Sequence, residues 1–130
     1  MKKTLILLAI AALPFTPARA DARGDLMAQY AAEAGVPFSA DRGEALFRTE
    51  FNGGKPETPA CTTCHTKSPK GTGKTRAGKL IEPLALSATP TRYGDAKKVE
   101  KWFGRNCRSV LGRTCTATEK GDFLTFMMSQ

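Results

Sequence analysis

Cys61-Thr62-Thr63-Cys64-His65 is a Cys-x-x-Cys-His run, the attachment signature of a covalently bound c-type haem. Two thiols three positions apart can each form a thioether with a haem vinyl group. The adjacent imidazole is then held against the iron as its proximal axial ligand. His65 is the sole histidine of the chain, so a second imidazole is not available for the opposite face. Whatever occupies that face decides the chemistry.

Cys-x-x-Cys alone is shared by zinc knuckles and thiol–disulfide motifs. A zinc site needs two further ligands at knuckle-like spacing, and Cys107 and Cys115 are eight positions apart. A redox dithiol opens a helix after a strand in a βαβ setting. Here the motif follows a Gly/Pro-rich loop (Gly53, Gly54, Pro56, Pro59), and no βαβ alternation is visible. Covalent haem is therefore the reading favoured over both.

The flanking pattern is helical. Upstream, Leu26, Met27, Tyr30, Ala31 and Ala34 recur at the spacing of one helical face, until Gly35 and Pro37 stop it. A second helix is expected from about Ala40 to Phe51, with Leu46, Phe47 and Phe51 inward, ended by Gly53-Gly54. A short helix carries the haem motif. The stretch from Lys67 to Lys79 holds Lys67, Lys70, Lys74, Arg76 and Lys79 and no acid, and reads as an exposed loop. Leu80 to Tyr93, broken by Pro83 and Pro90, is an irregular apolar segment expected to wall the haem.

Asp95 is a suitable N-cap for a helix whose Val99, Trp102, Phe103, Asn106 and Val110 fall near one face, ended by Gly112. Thr116 and Glu119 form a capping-box pattern before a last helix with Phe123, Leu124, Phe126 and Met127 as its apolar side. No strand alternation is seen. The fold class is all-α, a small single domain of four to five helices around one haem, whose porphyrin would supply apolar volume that a chain this short lacks.

The N-terminus reads as an export leader. Lys2 and Lys3 precede an apolar core from Leu5 to Leu13, too short to span a bilayer comfortably, and Ala18-Arg19-Ala20 is a small-x-small cleavage pattern. Residues 1–20 are thus expected to be removed, leaving a haem domain over 21–130 in a bacterial periplasm, with no membrane-spanning segment after cleavage. Without Lys2, Lys3 and Arg19 the chain keeps 17 basic and 12 acidic residues, a formal +5. In an exported haem protein this points to an acidic redox partner or an anionic membrane surface rather than to nucleic acid; simple solubility accounts for it equally well.

Candidate distal ligands are few. Met27 lies upstream of the haem motif and Met127 and Met128 lie in the last helix, and Met127 reads as core filler; a lysine would need burial and deprotonation. Asn106 is polar at an otherwise apolar helical spacing, though a partly exposed or capping asparagine explains it as well. Cys107 and Cys115 are most simply paired with each other, with a zinc pair or free thiols as alternatives. Trp102 is read as haem contact or plain core, and Arg92 or Arg105 as partners for a haem propionate.

The run Lys101-Trp102-Phe103-Gly104-Arg105-Asn106-Cys107 resembles the sphaeroides haem protein (SHP) class of c-type cytochromes. So do Gly112-Arg113-Thr114-Cys115-Thr116, Glu119-Lys120-Gly121-Asp122, Gly43-Glu44-Ala45-Leu46-Phe47 and Ile81-Glu82-Pro83-Leu84. The chain is also similar to cytochrome c″, which has a histidine where this chain has Asn106. The resemblance implies one haem c on Cys61 and Cys64, His65 and Asn106 as axial ligands, and a Cys107–Cys115 disulfide. It further implies loss of the asparagine on reduction, binding of a diatomic ligand such as oxygen or nitric oxide, and electron delivery from a dihaem cytochrome c and a membrane cytochrome b. It leaves open whether a turnover reaction follows.

Overall fold

Residues 22–130 are described by the computed structural model; the leader expected over residues 1–20 and its boundary at Asp21 lie outside them. Five helices follow in order: α1 (Ala22–Ala34), α2 (Ala40–Arg48), α3 (Thr62–His65), α4 (Ala96–Val110) and α5 (Ala117–Ser129). Between α3 and α4 a two-residue strand pair is added, β1 (Gly73–Lys74) antiparallel to β2 (Leu80–Ile81), with Gly73 opposite Ile81. The sequence pattern shows no strand, because two-residue strands are too short for alternation to register.

Local chemistry sets the helix ends. Ser39 caps α2, its hydroxyl accepting from the Arg42 N–H. Asp95 caps α4 by accepting from the Lys98 N–H. Thr116 and Glu119 complete a reciprocal capping box on α5. Gly35 and Gly112 leave α1 and α4 with φ of +66° and +75°, which a glycine adopts without steric cost. Helix α2 stops at Arg48 rather than running on to Phe51. Thr49 is already extended and donates its hydroxyl to the Ala45 carbonyl, while Phe51 gives its N–H to Pro59 O (2.7 Å) and closes the loop behind it.

Helix α5 is the element the others pack on, chiefly α2 and then α1. The α2–α5 approach is close enough that a Cβ on Gly43 would stand 2.0 Å from the Asp122 carbonyl oxygen. Asp122, only 3% exposed, accepts two bonds from the Arg42 guanidinium (2.7 and 2.9 Å) and one from the Ser39 N–H (2.7 Å). A buried carboxylate is tolerable when paired and hydrogen-bonded in this way. The core has two parts. Leu26, Tyr30, Val99 and Leu124 form one; Phe47, Leu84, Phe126 and Met127 form the other, and Tyr93 and Phe123 touch both. The second part is where Cys61 packs, so the haem motif begins directly on the core.

Candidate haem site

Three segments bear the residues singled out by the sequence. The first is α3 with its flanks. His65 N–H donates to the Cys61 carbonyl (3.1 Å), winding the motif into one helical turn, with Cys61 at the N-cap of α3 and Cys64 and His65 within it. Behind the motif, β1 comes so close that a Cβ on Gly73 would lie 2.3 Å from Cys64 O and 3.1 Å from His65 Cα. The chain leaves α3 through Thr66 at φ +62°, and Arg48 fastens the next residue by donating to Lys67 O (2.8 Å).

Both motif thiols are free, and burial pushes the Cys61 thiol up to about 11, so it is neutral. His65 is pushed down to about 4, first by burial and then by the nearby Arg92 charge. Its imidazole is therefore neutral, the form that offers a lone pair to a metal. Arg92 spends its guanidinium on carbonyl oxygens, donating to Pro83 O (2.9 Å) and Glu82 O (2.5 Å). The wall segment holds its own turn through Tyr93 at φ +65°, whose hydroxyl donates to Leu84 O (2.7 Å). Within that segment Leu84 and Ala85 are buried, and Leu80 is 67% exposed.

The second segment is the second half of α4. Val99, Cys107 and Val110 are buried, and Trp102 and Asn106, one turn apart, lie at the edge of that stripe. Trp102 is 43% exposed, not a core residue, and Arg105 lies across its ring with Cζ 5.2 Å from the centroid. Asn106 is exposed. Its amide caps no helix end and makes no hydrogen bond among the described residues. Cys107 and Cys115 form a disulfide with Cα atoms 5.6 Å apart, so the segment behind Asn106 is covalently tied to the start of α5.

The third segment joins the first two. Loop 49–60 runs from α2 into Cys61 and lies against the C-terminal end of α4. Lys55 N–H donates to Ser109 O (2.7 Å), and the Thr58 and Ser109 hydroxyls share a 2.9 Å bond. Backbone meets backbone there: a Cβ on Gly54 would lie 2.3 Å from Ser109 O, and one on Gly112 1.9 Å from Gly53 O. One hydrogen-bonded loop thus connects the Asn106 end of α4 to the haem motif.

These donors fit a covalently held haem and not the rivals. Zinc would need further thiolates, yet Cys107 and Cys115 are consumed in the disulfide. No group of three or more His, Cys, Asp or Glu is placed to hold a metal among the described residues. Met127 has no exposure; it fills the space among Phe47, Leu84 and Phe126 and is core rather than ligand. Sequence reasoning passed over Ser39, the Gly73 contact and the Lys55–Ser109 tie. Only Ser39, three residues ahead of Arg42 at a helix start, carried a readable signal.

Comparison with known proteins gives concordant results. The family model described as "Domain of unknown function (DUF1924)" matches residues 33–127. The cytochrome c-type protein SHP of Cereibacter sphaeroides is 51% identical over 130 residues, spanning the whole of both chains. The solved structure of oxidised SHP, described as an oxygen-binding cytochrome c, superposes with a TM-score of 0.81 at 54% identity, over 83% of this chain and 96% of that one. Oxidised cytochrome c″ of Methylophilus methylotrophus superposes with a TM-score of 0.70 at 30% identity, over 84% and 94%. With full-length identity joined to a shared helical fold, the chain belongs to the SHP family of c-type cytochromes, whose cofactor is haem c.

Proposed function

We propose that the chain is an exported, periplasmic monohaem cytochrome that accepts an electron and, on reduction, releases a distal asparagine to admit a diatomic ligand, O2 or NO. Cys61 and Cys64 hold haem c by thioethers, His65 is the proximal ligand and Asn106 the distal one. Haem c supplies one-electron redox chemistry and an iron with two axial positions. The observation that carries the reading is the state of Asn106: an exposed amide in the second half of α4 with no hydrogen-bond partner among the described residues, one residue before a disulfide cysteine. Asparagine is a poor helix former, so an interior position without a hydrogen bond leaves its amide unspent for other work.

The chemistry follows from donor hardness. The Asn106 amide oxygen is hard and neutral, better matched to Fe(III) than to the softer Fe(II). Reduction would weaken such a bond, whereas His65 would be kept in place by the two thioethers and by the Gly73 contact that fixes its segment. The description of the oxidised relative as oxygen-binding agrees with a site that opens. The leader over residues 1–20 supports export, and family resemblance suggests a dihaem cytochrome c and a membrane cytochrome b as electron donors. Electron transfer and gas binding are favoured over turnover, since His65 is the sole histidine and none is left to serve as a distal acid–base group.

The test is the optical and EPR spectrum of the haem-loaded protein, ferric and ferrous by absorbance and ferric by EPR, for wild type and Asn106→Ala. Wild type is expected to be six-coordinate when ferric and to lose a ligand on reduction, and Asn106→Ala to lack the native ligand already in the ferric state. If both proteins stay six-coordinate and low-spin in both states, the distal ligand lies elsewhere and the protein is a closed electron carrier.

A further inference from the structure

We propose that the cation-lined cleft on the outer face of α4 is the docking surface for a carboxylate-rich face of an electron-donating protein. This rests on the reading above that the chain accepts an electron. The cleft has a volume of about 510 Å3 and is lined by Lys55, Glu100, Lys101, Gly104, Arg105 and Arg108, with Ser109. Gly104 provides the floor, its bare Cα leaving room for the Arg108 guanidinium, 3.4 Å from where a Cβ would sit. The one acid, Glu100, is engaged by Lys120 at 2.8 and 3.1 Å. None of the four lining cations is in an ion pair among the described residues.

The arrangement works against the helix that bears it. Lys97 and Lys98 stand in the first turn of α4, where cations oppose the helix dipole, and the N-cap Asp95 is the one acid beside them. Lys97, Lys101 and Arg105 follow one another at four-residue steps, and Arg108 comes three beyond; like charges at these spacings repel. A surface serving solubility alone would intersperse acids with its cations. A concentrated single-sign field instead steers an oppositely charged partner.

The cleft adjoins the chain segments that bear the haem motif and Asn106. The cleft straddles the Lys55–Ser109 tie between α4 and the loop leading to Cys61. Arg105 precedes Asn106 and covers the exposed Trp102. The other basic stretch, Lys67 to Lys79, is strung along the hairpin, and its Arg76 is already paired with Glu57 at 3.0 Å. A protein partner is favoured over an anionic membrane because the cations ring a concavity, and a flat headgroup layer would reach only its rim.

The test is an NMR titration of 15N-labelled ferric holo-protein with oxidised flavodoxin, an acidic electron-transfer protein that does not reduce the haem in this form. Three proteins are compared: wild type, Lys101→Glu/Arg105→Glu/Arg108→Glu, and Lys70→Glu/Lys74→Glu/Lys79→Glu. The expected result is amide shifts centred on Lys55 and residues 97–108 that vanish at roughly 0.5 M salt. The α4 reversal should weaken binding about tenfold or more, and the hairpin reversal less than about twofold. Shifts centred on the hairpin, or an affinity indifferent to the α4 reversal, would overturn the proposal. So would α4-dependent sedimentation with phosphatidylcholine–phosphatidylglycerol vesicles while flavodoxin leaves the amides unmoved. Binding is read without changing the oxidation state, so failure here is separate from failure of the Asn106 switch, which the ferric and ferrous spectra report.

Discussion

Gly73 shows how a single missing side chain positions a cofactor ligand. Its backbone lies where a Cβ would meet Cys64 O at 2.3 Å, and a carbonyl oxygen cannot swing aside as a flexible side chain can. Gly73→Ala must therefore push β1 and α3 apart, moving the residue that carries the proximal imidazole. The expected cost is about 1–3 kcal/mol, typical of overpacking, read by urea unfolding of the holo-protein, together with a lower yield of haem-loaded chain. Gly24 in α1 has nothing within 4 Å of its Cβ position. Gly24→Ala should leave the spectrum unchanged and stabilise the protein by up to about 1 kcal/mol through helix propensity. Equal losses from both substitutions would mean that the Gly73 contact positions nothing.

The helices were largely readable before the structure because their signals are local. Asp95, the Thr116–Glu119 box and the glycines at 35 and 112 each act within one turn, and the structure uses all four. The two cysteines left over from the haem motif do pair. What was not readable depends on tertiary partners. The end of α2 is set by Phe51 donating to Pro59 across a loop, and the hairpin by the contact between Gly73 and Cys64. Trp102 reads from the sequence as haem contact or plain core; its exposure follows from lying at the edge of the stripe formed by Val99, Cys107 and Val110. The junction of α4 and α5 combines the disulfide, the capping box and Arg113 donating to both Glu119 oxygens at 2.7 and 2.8 Å. Cys107→Ser/Cys115→Ser should cost about 2–3 kcal/mol by loop entropy for a closure of this length, and Thr116→Ala about 1 kcal/mol. The sites adjoin, so the triple variant should lose a different amount from the two effects added; strict additivity in urea unfolding would show that disulfide and cap act independently.

Helix α5 holds the molecule together electrostatically as well as by packing, through three of four successive residues. Asp122 receives Arg42 from α2, Glu119 receives Arg113 from the α4–α5 turn, and Lys120 reaches Glu100 on α4, which also accepts a bond from the Tyr30 hydroxyl of α1. Part of the acid response of the fold follows from the Glu100 and Glu119 links. Burial by itself would raise Glu100, but the hydrogen bonds from Lys120 and Tyr30 outweigh it and hold the carboxyl below its ordinary 4.5. Glu119 is held low first by its bond to Arg113. A carboxyl lowered in the folded state binds its proton more readily when unfolded. Its contribution is therefore complete above pH 4.5 and fades as the pH falls through the folded value. Glu100→Gln should be less stable than wild type at neutral pH, because Lys120 loses its anion and Tyr30 its charged acceptor. It should also lose less stability than wild type on acidification below 4.5, having one fewer depressed carboxyl to protonate. The two curves of unfolding free energy against pH should converge toward low pH. Parallel curves would show that the tie between α1, α4 and α5 does not depend on the charge of Glu100, leaving Glu119 as the acid-sensitive link.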